Sequence, residues 1–139
     1  MKVRDAMAKT ISTASPTDTI GRVARLMKEE DTGFIPVVEG DRLIGVVTDR
    51  DIVIRCLAEG HDDPLNERAE HVMSREVETV SPGDDLQTAA EKMAHQEIRR
   101  LAVVEDGRVV GVLSHGNLVQ ATSGQGPAEE ATRGVTEGA

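Results

Sequence analysis

In Gly45-Val46-Val47-Thr48-Asp49-Arg50-Asp51 a short apolar run rises to a hydroxyl residue, and a carboxylate follows three positions later at what reads as a helix start. A threonine at an N-cap leaves its hydroxyl and the amides of Asp49 to Asp51 beside the positive end of a helix dipole, a place suited to phosphate. Asp51, one turn in, offers two acceptor oxygens that match the paired hydroxyls of a ribose. The same spacing is also a capping box, which starts a helix and does nothing more. A second copy begins 66 positions on, as Gly111-Val112-Leu113-Ser114-His115-Gly116-Asn117. It keeps the hydroxyl but has an amide for the acid, and an amide lacks both the charge and the second acceptor oxygen. Where the motif binds, one good site at Asp51 is expected, or one good and one weak.

The elements that must position these residues come as an internal repeat. Residues 5–54 align with 71–120 without a gap: Met7 falls on Met73, Thr13 on Thr79, Ser15-Pro16 on Ser81-Pro82 and Val37-Val38-Glu39 on Val103-Val104-Glu105. Each copy has a short helical lead-in (Val3 to Met7; Ala69 to Met73) running into an extended stretch that Ser-Pro breaks. Asp18 and Asp84 are natural N-caps for the next helix, and Gln87 can complete a capping box with Asp84. Ile20, Val23, Ala24 and Met27, repeated as Leu86, Ala89, Ala90 and Met93, give each helix one apolar face. Two nearly continuous apolar strands follow (Phe34 to Val38 and Arg42 to Thr48; Leu101 to Glu105 and Arg108 to Ser114), as expected of a sheet covered on both faces. Asp106-Gly107 is a strong hairpin signal. A closing helix runs from Arg50 to Ala58, stopped by Gly60, and from Gly116 to Ala121 in the second copy.

The fold class is thus α/β (α+β), two β-α-β-β-α repeats related by a pseudo-two-fold axis with sheets packed against helices. Repeat 1 spans 1–60, a linker 61–68, repeat 2 69–122, and a flexible tail 123–139, where no apolar period survives. At 139 residues the chain is one compact domain or two very small lobes sharing a core.

Composition narrows the function. Phe34 is the only aromatic residue, which removes stacking platforms for single-stranded nucleic acid. A net charge of -9 without a basic run argues against phosphate-backbone binding, so no nucleic acid partner is expected. Cys56 lies in an apolar helical pattern where a buried, inert thiol is usual. His61 with Asp62 and Asp63 lacks ligand spacing, so no metal is expected, and His71, His95 and His115 read as exposed polar residues. No run approaches the ~18 apolar residues of a membrane span and the first ten residues lack an apolar signal core, so a cytoplasmic protein without membrane contact is expected.

The repeat, the Met7 and Met73 lead-ins, Ser-Pro before the helix, Pro36-Val37-Val38 with Ala102-Val103-Val104, and the G-V-V-T-x-x-D close together resemble the tandem cystathionine-β-synthase (CBS) domain pair, or Bateman module, over about residues 1–122. Thr48 to Arg55 is particularly similar to stand-alone actinobacterial CBS pairs of the hypoxic response type. The resemblance implies no catalytic activity, no required cofactor, and an adenosine ligand such as AMP, ATP or S-adenosylmethionine in a cleft between the copies. It implies Thr13, Ile35 and Pro36 as adenine-lining positions, although Ile35 and Pro36 could equally be plain core, with Thr79 the counterpart of Thr13 in the weaker site of Ser114 and Asn117. It also places a basic residue at Arg99 or Arg100, which could equally be a solvated strand end. Arg50 is a further phosphate candidate.

The reading is a non-enzymatic sensor module, expected to be a homodimer whose state an effector protein reads. The alternative is a structural interaction module that binds no ligand and acts through dimerisation. An enzyme would need a clustered nucleophile and base, which Cys56 and scattered histidines do not supply.

Overall fold

The computed structural model describes residues 1–122; the tail at 123–139 lies outside the described residues. The fold is mixed α+β. Its elements are α1 (Val3–Ala6), α2 (Ile20–Glu30), β1 (Phe34–Glu39), β2 (Arg42–Thr48), α3 (Asp49–Asp51) running into a π-helix (Ile52–Ala58), and a 3-10 turn (Pro64–Asn66). The second repeat follows with α4 (Ala69–Val72), β3 (Thr79–Val80), α5 (Leu86–Gln96), β4 (Arg100–Glu105), β5 (Arg108–Ser114) and α6 (His115–Thr122).

Two compact units form, offset from the sequence repeats by one element. One is Ser12–Val77, the other Met1–Ile11 with the residues from Glu78 on, so each lead-in helix sits with the body of the other repeat. Backbone bonds show why. In the 12–77 unit the first amides of α4 donate to the Ser-Pro turn: Ala69 to the Asp18 carbonyl (2.8 Å) and Glu70 to the Pro16 carbonyl (3.0 Å). In the other unit Val3 donates to the Asp84 carbonyl (2.9 Å) and Arg4 to that of Pro82 (3.0 Å). A helix start has unpaired N–H groups, and a turn offers spare carbonyls.

That use of the turn displaces the expected N-caps by one residue. Thr19 caps α2, accepting from the Arg22 amide at 3.2 Å, and Asp85 takes the N-cap position of α5. The Asp18 and Asp84 carboxylates instead close the Ser-Pro turns, accepting from the amides of Ser15 (2.8 Å) and Ser81 (2.9 Å). Gln87 donates to Glu91 at 3.2 Å. Both helices end on a left-handed residue, Asp31 and Glu97, with Thr32 and Ile98 donating back to Met27 and Met93 at 3.0 Å.

In the 12–77 unit β1 and β2 pair antiparallel, with Ala14 bridged to Val37 on one side and Ser74 to Val46 on the other. In its counterpart β4 and β5 pair the same way, β3 lies parallel to β4, and Ala8 bridges to Val112. Both hairpins turn through left-handed glycines, Gly40 and Gly107. Each unit has its own core. One gathers Ile20, Val23, Ile35, Val37, Val47, Cys56 and Val72, the other Leu86, Met93, Leu101, Val103, Leu113 and Leu118. A fully buried leucine contributes about 1.5–3 kcal/mol.

The closing helices differ. In the second repeat α6 is a regular helix, whereas the first repeat winds more widely from Ile52, and His61 donates to the Cys56 carbonyl at 3.3 Å across five residues. Ile52-Val53-Ile54 puts three β-branched side chains in a row, which crowd an α-turn; Leu118-Val119-Gln120 has one.

Candidate functional site

Asp51 is the one charged residue buried among those described, at 8% exposure. It stands on α3 directly after β2, and the capping box is fully formed. The Thr48 amide donates to Asp51 Oδ2 (2.9 Å), and the Asp51 amide donates to Thr48 Oγ1 (3.1 Å). Asp51 Oδ1 accepts from the Ser74 hydroxyl (3.1 Å) and lies 4.0 Å from Arg55 Nε. Arg55 Nη1 also donates to the Met73 carbonyl (2.9 Å), the end of α4, where a cation meets the negative pole of the helix.

The amides expected to hold a phosphate are taken. Asp49 donates to the Gly33 carbonyl (3.0 Å), Arg50 to Asp49 Oδ1 (2.9 Å), and Asp51 to Thr48. The Asp49 carboxylate occupies the space a side chain on Gly33 would need. The helix start is therefore closed upon itself, and a phosphate bound nearby needs side chains instead. Arg50 is exposed and adjacent.

Of the other expected residues, Thr13 is half-buried and Pro36 buried, its carbonyl accepting from Ala14 at 2.9 Å. Ile35 is part of the core at 1% exposure. In the unit from Glu78 on, Ser114 and Asn117 form the equivalent box: the Ser114 amide donates to Asn117 Oδ1 (2.9 Å) and the Asn117 amide to Ser114 Oγ (3.0 Å). Thr79 lies on β3, with its carbonyl accepting from Lys92 (2.7 Å). Arg99 is exposed before β4, its carbonyl accepting from His115 (2.8 Å), and Arg100 opens the strand opposite Ser114.

The family model of the CBS domain matches residues 3–57 and again 69–124. The chain belongs to the CBS domain family. As a tandem CBS pair it is 42% identical over 118 residues to the CBS domain-containing protein YhcV of Bacillus subtilis, covering 84% of this chain and 81% of YhcV. It is 30% identical to Hypoxic response protein 1 of Mycobacterium tuberculosis over 84% of this chain and 82% of that one. A crystal structure of Hypoxic Response Protein I with two coordinated zinc ions matches at a TM-score of 0.79 and 30% identity, covering 86% of this chain and 98% of that one. CBSX2, solved in complex with AMP, has the same fold at a TM-score of 0.77 and 24% identity, covering 88% of this CBS pair and 96% of that chain. Among the described residues of the present CBS pair, no group of three or more His, Cys, Asp or Glu could hold a metal ion, and no helix is long and apolar enough to cross a membrane.

Two features escaped the sequence reading. Ser74 reaches Asp51 from 23 residues away. Glu67 joins two histidines, with Oε2 2.8 Å from His61 Nδ1 and Oε1 2.6 Å from His71 Nδ1, at the edge of an open cleft of about 560 Å³ that Glu59, Asp62, Asp63 and Asn66 also line. The bonds from His71 and then His61 pull the Glu67 carboxyl from its ordinary 4.5 down to about 2. A depressed carboxyl stabilises the fold above its unfolded value and ceases to do so as pH falls through the folded one. Wild type should therefore exceed Glu67→Gln in stability at pH 6, with the gap closing between about pH 4.5 and 2 in acid-denaturation curves. A gap that stays constant over that range would remove Glu67 from acid stability. The Cys56 thiol is raised by burial and then by the Glu67 charge, in line with an inert core thiol.

Proposed function

We propose that this CBS pair is a non-enzymatic sensor for an adenosine ligand, with Asp51 accepting the ribose hydroxyls. The carrying observation is that the Asp51 charge is more than the cap needs. Asn117 completes the same capping box with a neutral amide. A carboxylate at 8% exposure costs desolvation that an asparagine avoids, and its second oxygen, Oδ1, is not used by the box. Each carboxylate oxygen holds one protein donor and keeps one acceptor position for a ligand hydroxyl. AMP in the CBSX2 complex supports the ligand class. S-adenosylmethionine and ATP carry the same ribose, and Arg50, exposed one residue before Asp51, is the cation we assign to a phosphate.

A homodimer completes the reading. Val53, Ile54 and Leu57 on the π-helix are 54, 44 and 54% exposed, an apolar stripe that a second copy would cover. An effector protein would then read the population that the ligand shifts. The deciding experiment is a thermal-shift panel of AMP, ATP, S-adenosylmethionine and NAD, with light scattering on the same samples. At a ligand concentration of about 100 times Kd, binding adds about 2.7 kcal/mol, and Tm should rise by several degrees. A flat panel on a tight dimer would select the structural interaction module instead.

A further inference from the structure

Resting on the ribose reading of Asp51, we propose that Ser74 is the positioning residue of the site: it locks the Asp51 carboxylate for a vicinal diol and so sets the preference for ribose over deoxyribose. An aspartate side chain held on one oxygen can swing about its terminal torsion, which is broad. Here the two oxygens are held from two separate segments. The Thr48 amide takes Oδ2 and the Ser74 hydroxyl takes Oδ1.

The serine is itself fixed. Its backbone makes both bonds of a bridge to Val46, with the Val46 amide to the Ser74 carbonyl at 2.9 Å and the Ser74 amide to the Val46 carbonyl at 2.8 Å. Val46 lies two residues before Thr48 on β2, so the serine and the capping threonine share one strand frame. From the other side Arg55 ties the Met73 carbonyl to the helix that carries Asp51. Ser74, Asp51 and Arg55 thus form one polar cluster.

The second repeat builds the same frame without it. Ala8 makes the equivalent pair of bonds to Val112, at 2.9 and 3.1 Å, and the positions matching Ser74, Asp51 and Arg55 are Ala8, Asn117 and Ala121. The backbone geometry needs no hydroxyl, so the serine is not there to hold the lead-in. It differs from its counterpart together with the acid it contacts.

Calorimetric titration of AMP and deoxy-AMP, which lacks one of the two hydroxyls, into wild type, Ser74→Ala and Ser74→Thr tests this. Ser74→Ala should weaken AMP about tenfold, because a carboxylate freed on one oxygen must be ordered again when the diol binds. It should weaken deoxy-AMP far less, and Ser74→Thr should restore AMP to near wild type. Equal losses on the two ligands, or no loss on AMP, would overturn the positioning role, since a merely structural serine cannot discriminate between them. Should wild type bind none of AMP, ATP, S-adenosylmethionine and NAD, the ribose reading falls and takes the specificity role with it. The carboxylate lock is then judged separately by a stability cycle of Ser74→Ala with Asp51→Asn in ligand-free protein. Coupling between the two shows that the lock stands without the ligand, and strict additivity overturns it as well.

Discussion

Asp51→Asn should leave the fold intact and weaken an adenosine ligand by roughly 10- to 100-fold. The protein already contains the control for the first half of that statement. Asn117 forms the same reciprocal box with Ser114, at 2.9 and 3.0 Å, that Asp51 forms with Thr48 at 2.9 and 3.1 Å. An amide at 51 therefore keeps the cap, and Tm should move by only a few degrees. What disappears is the charge and one of the two acceptor oxygens. A hydrogen bond to a charged group is worth about 1.5–3 kcal/mol, and each ~1.4 kcal/mol is tenfold in Kd, which gives the stated range. Asp51→Ala is the less clean variant, because it removes the box and leaves the Ser74 hydroxyl without its acceptor. It should lower stability by about 1–2 kcal/mol as well as abolish binding. Full affinity in Asp51→Asn, measured by calorimetry, would reduce the motif to a helix cap.

Much of this was legible in the sequence because the relevant signals are local. The ungapped repeat, the apolar faces built on Ile20, Val23 and Met27, and the Asp106-Gly107 turn each depend on residues a few positions apart, and the hairpin strands fall where those signals put them, whereas the opening strand of the first repeat reduces to a single bridge at Ala14. The capping box at Thr48 and Asp51 was readable for the same reason. What was not readable is who satisfies whom at a distance. Spacing left the amides of Asp49 to Asp51 open, because nothing local says that Asp49 will reach the Gly33 carbonyl or that its carboxylate will turn back onto Arg50. Nor could it show that Met73 and Ser74 dock on β2. The Asp18 and Asp84 side chains met two competing demands, a helix cap and a Ser-Pro turn. The turn prevails because its carbonyls must also receive a lead-in helix from the other repeat.

That lead-in exchange sets up the largest stability effect. Gly45 and Gly111 hold matching places on β2 and β5, and each lies under a lead-in. A Cβ on Gly111 would sit 2.7 Å from the Ala8 carbonyl oxygen and 2.8 Å from Met7 Sδ. On Gly45 it would sit 2.6 Å from Met73 Sδ and 2.9 Å from the Ser74 carbonyl oxygen. A methionine can swing aside, but the carbonyl belongs to a bridge with both of its backbone bonds made, so the alanine must push the lead-in off the strand. Overpacking of this kind costs about 1–3 kcal/mol. Gly45→Ala and Gly111→Ala should each lower Tm by roughly 4–10 °C. Gly83→Ala is the control, since its Cβ meets only Arg4 Nη2 at 3.7 Å, and it should leave Tm nearly unchanged. A Gly111→Ala as mild as Gly83→Ala would mean that the lead-ins are not seated as described. The two damaging variants then separate in function. Gly45→Ala displaces the segment that carries Ser74, so it should weaken an adenosine ligand at temperatures where the protein is still folded. Gly111→Ala displaces Met7 and Ala8, neither of which carries a hydroxyl, and should leave that affinity intact while costing the same stability.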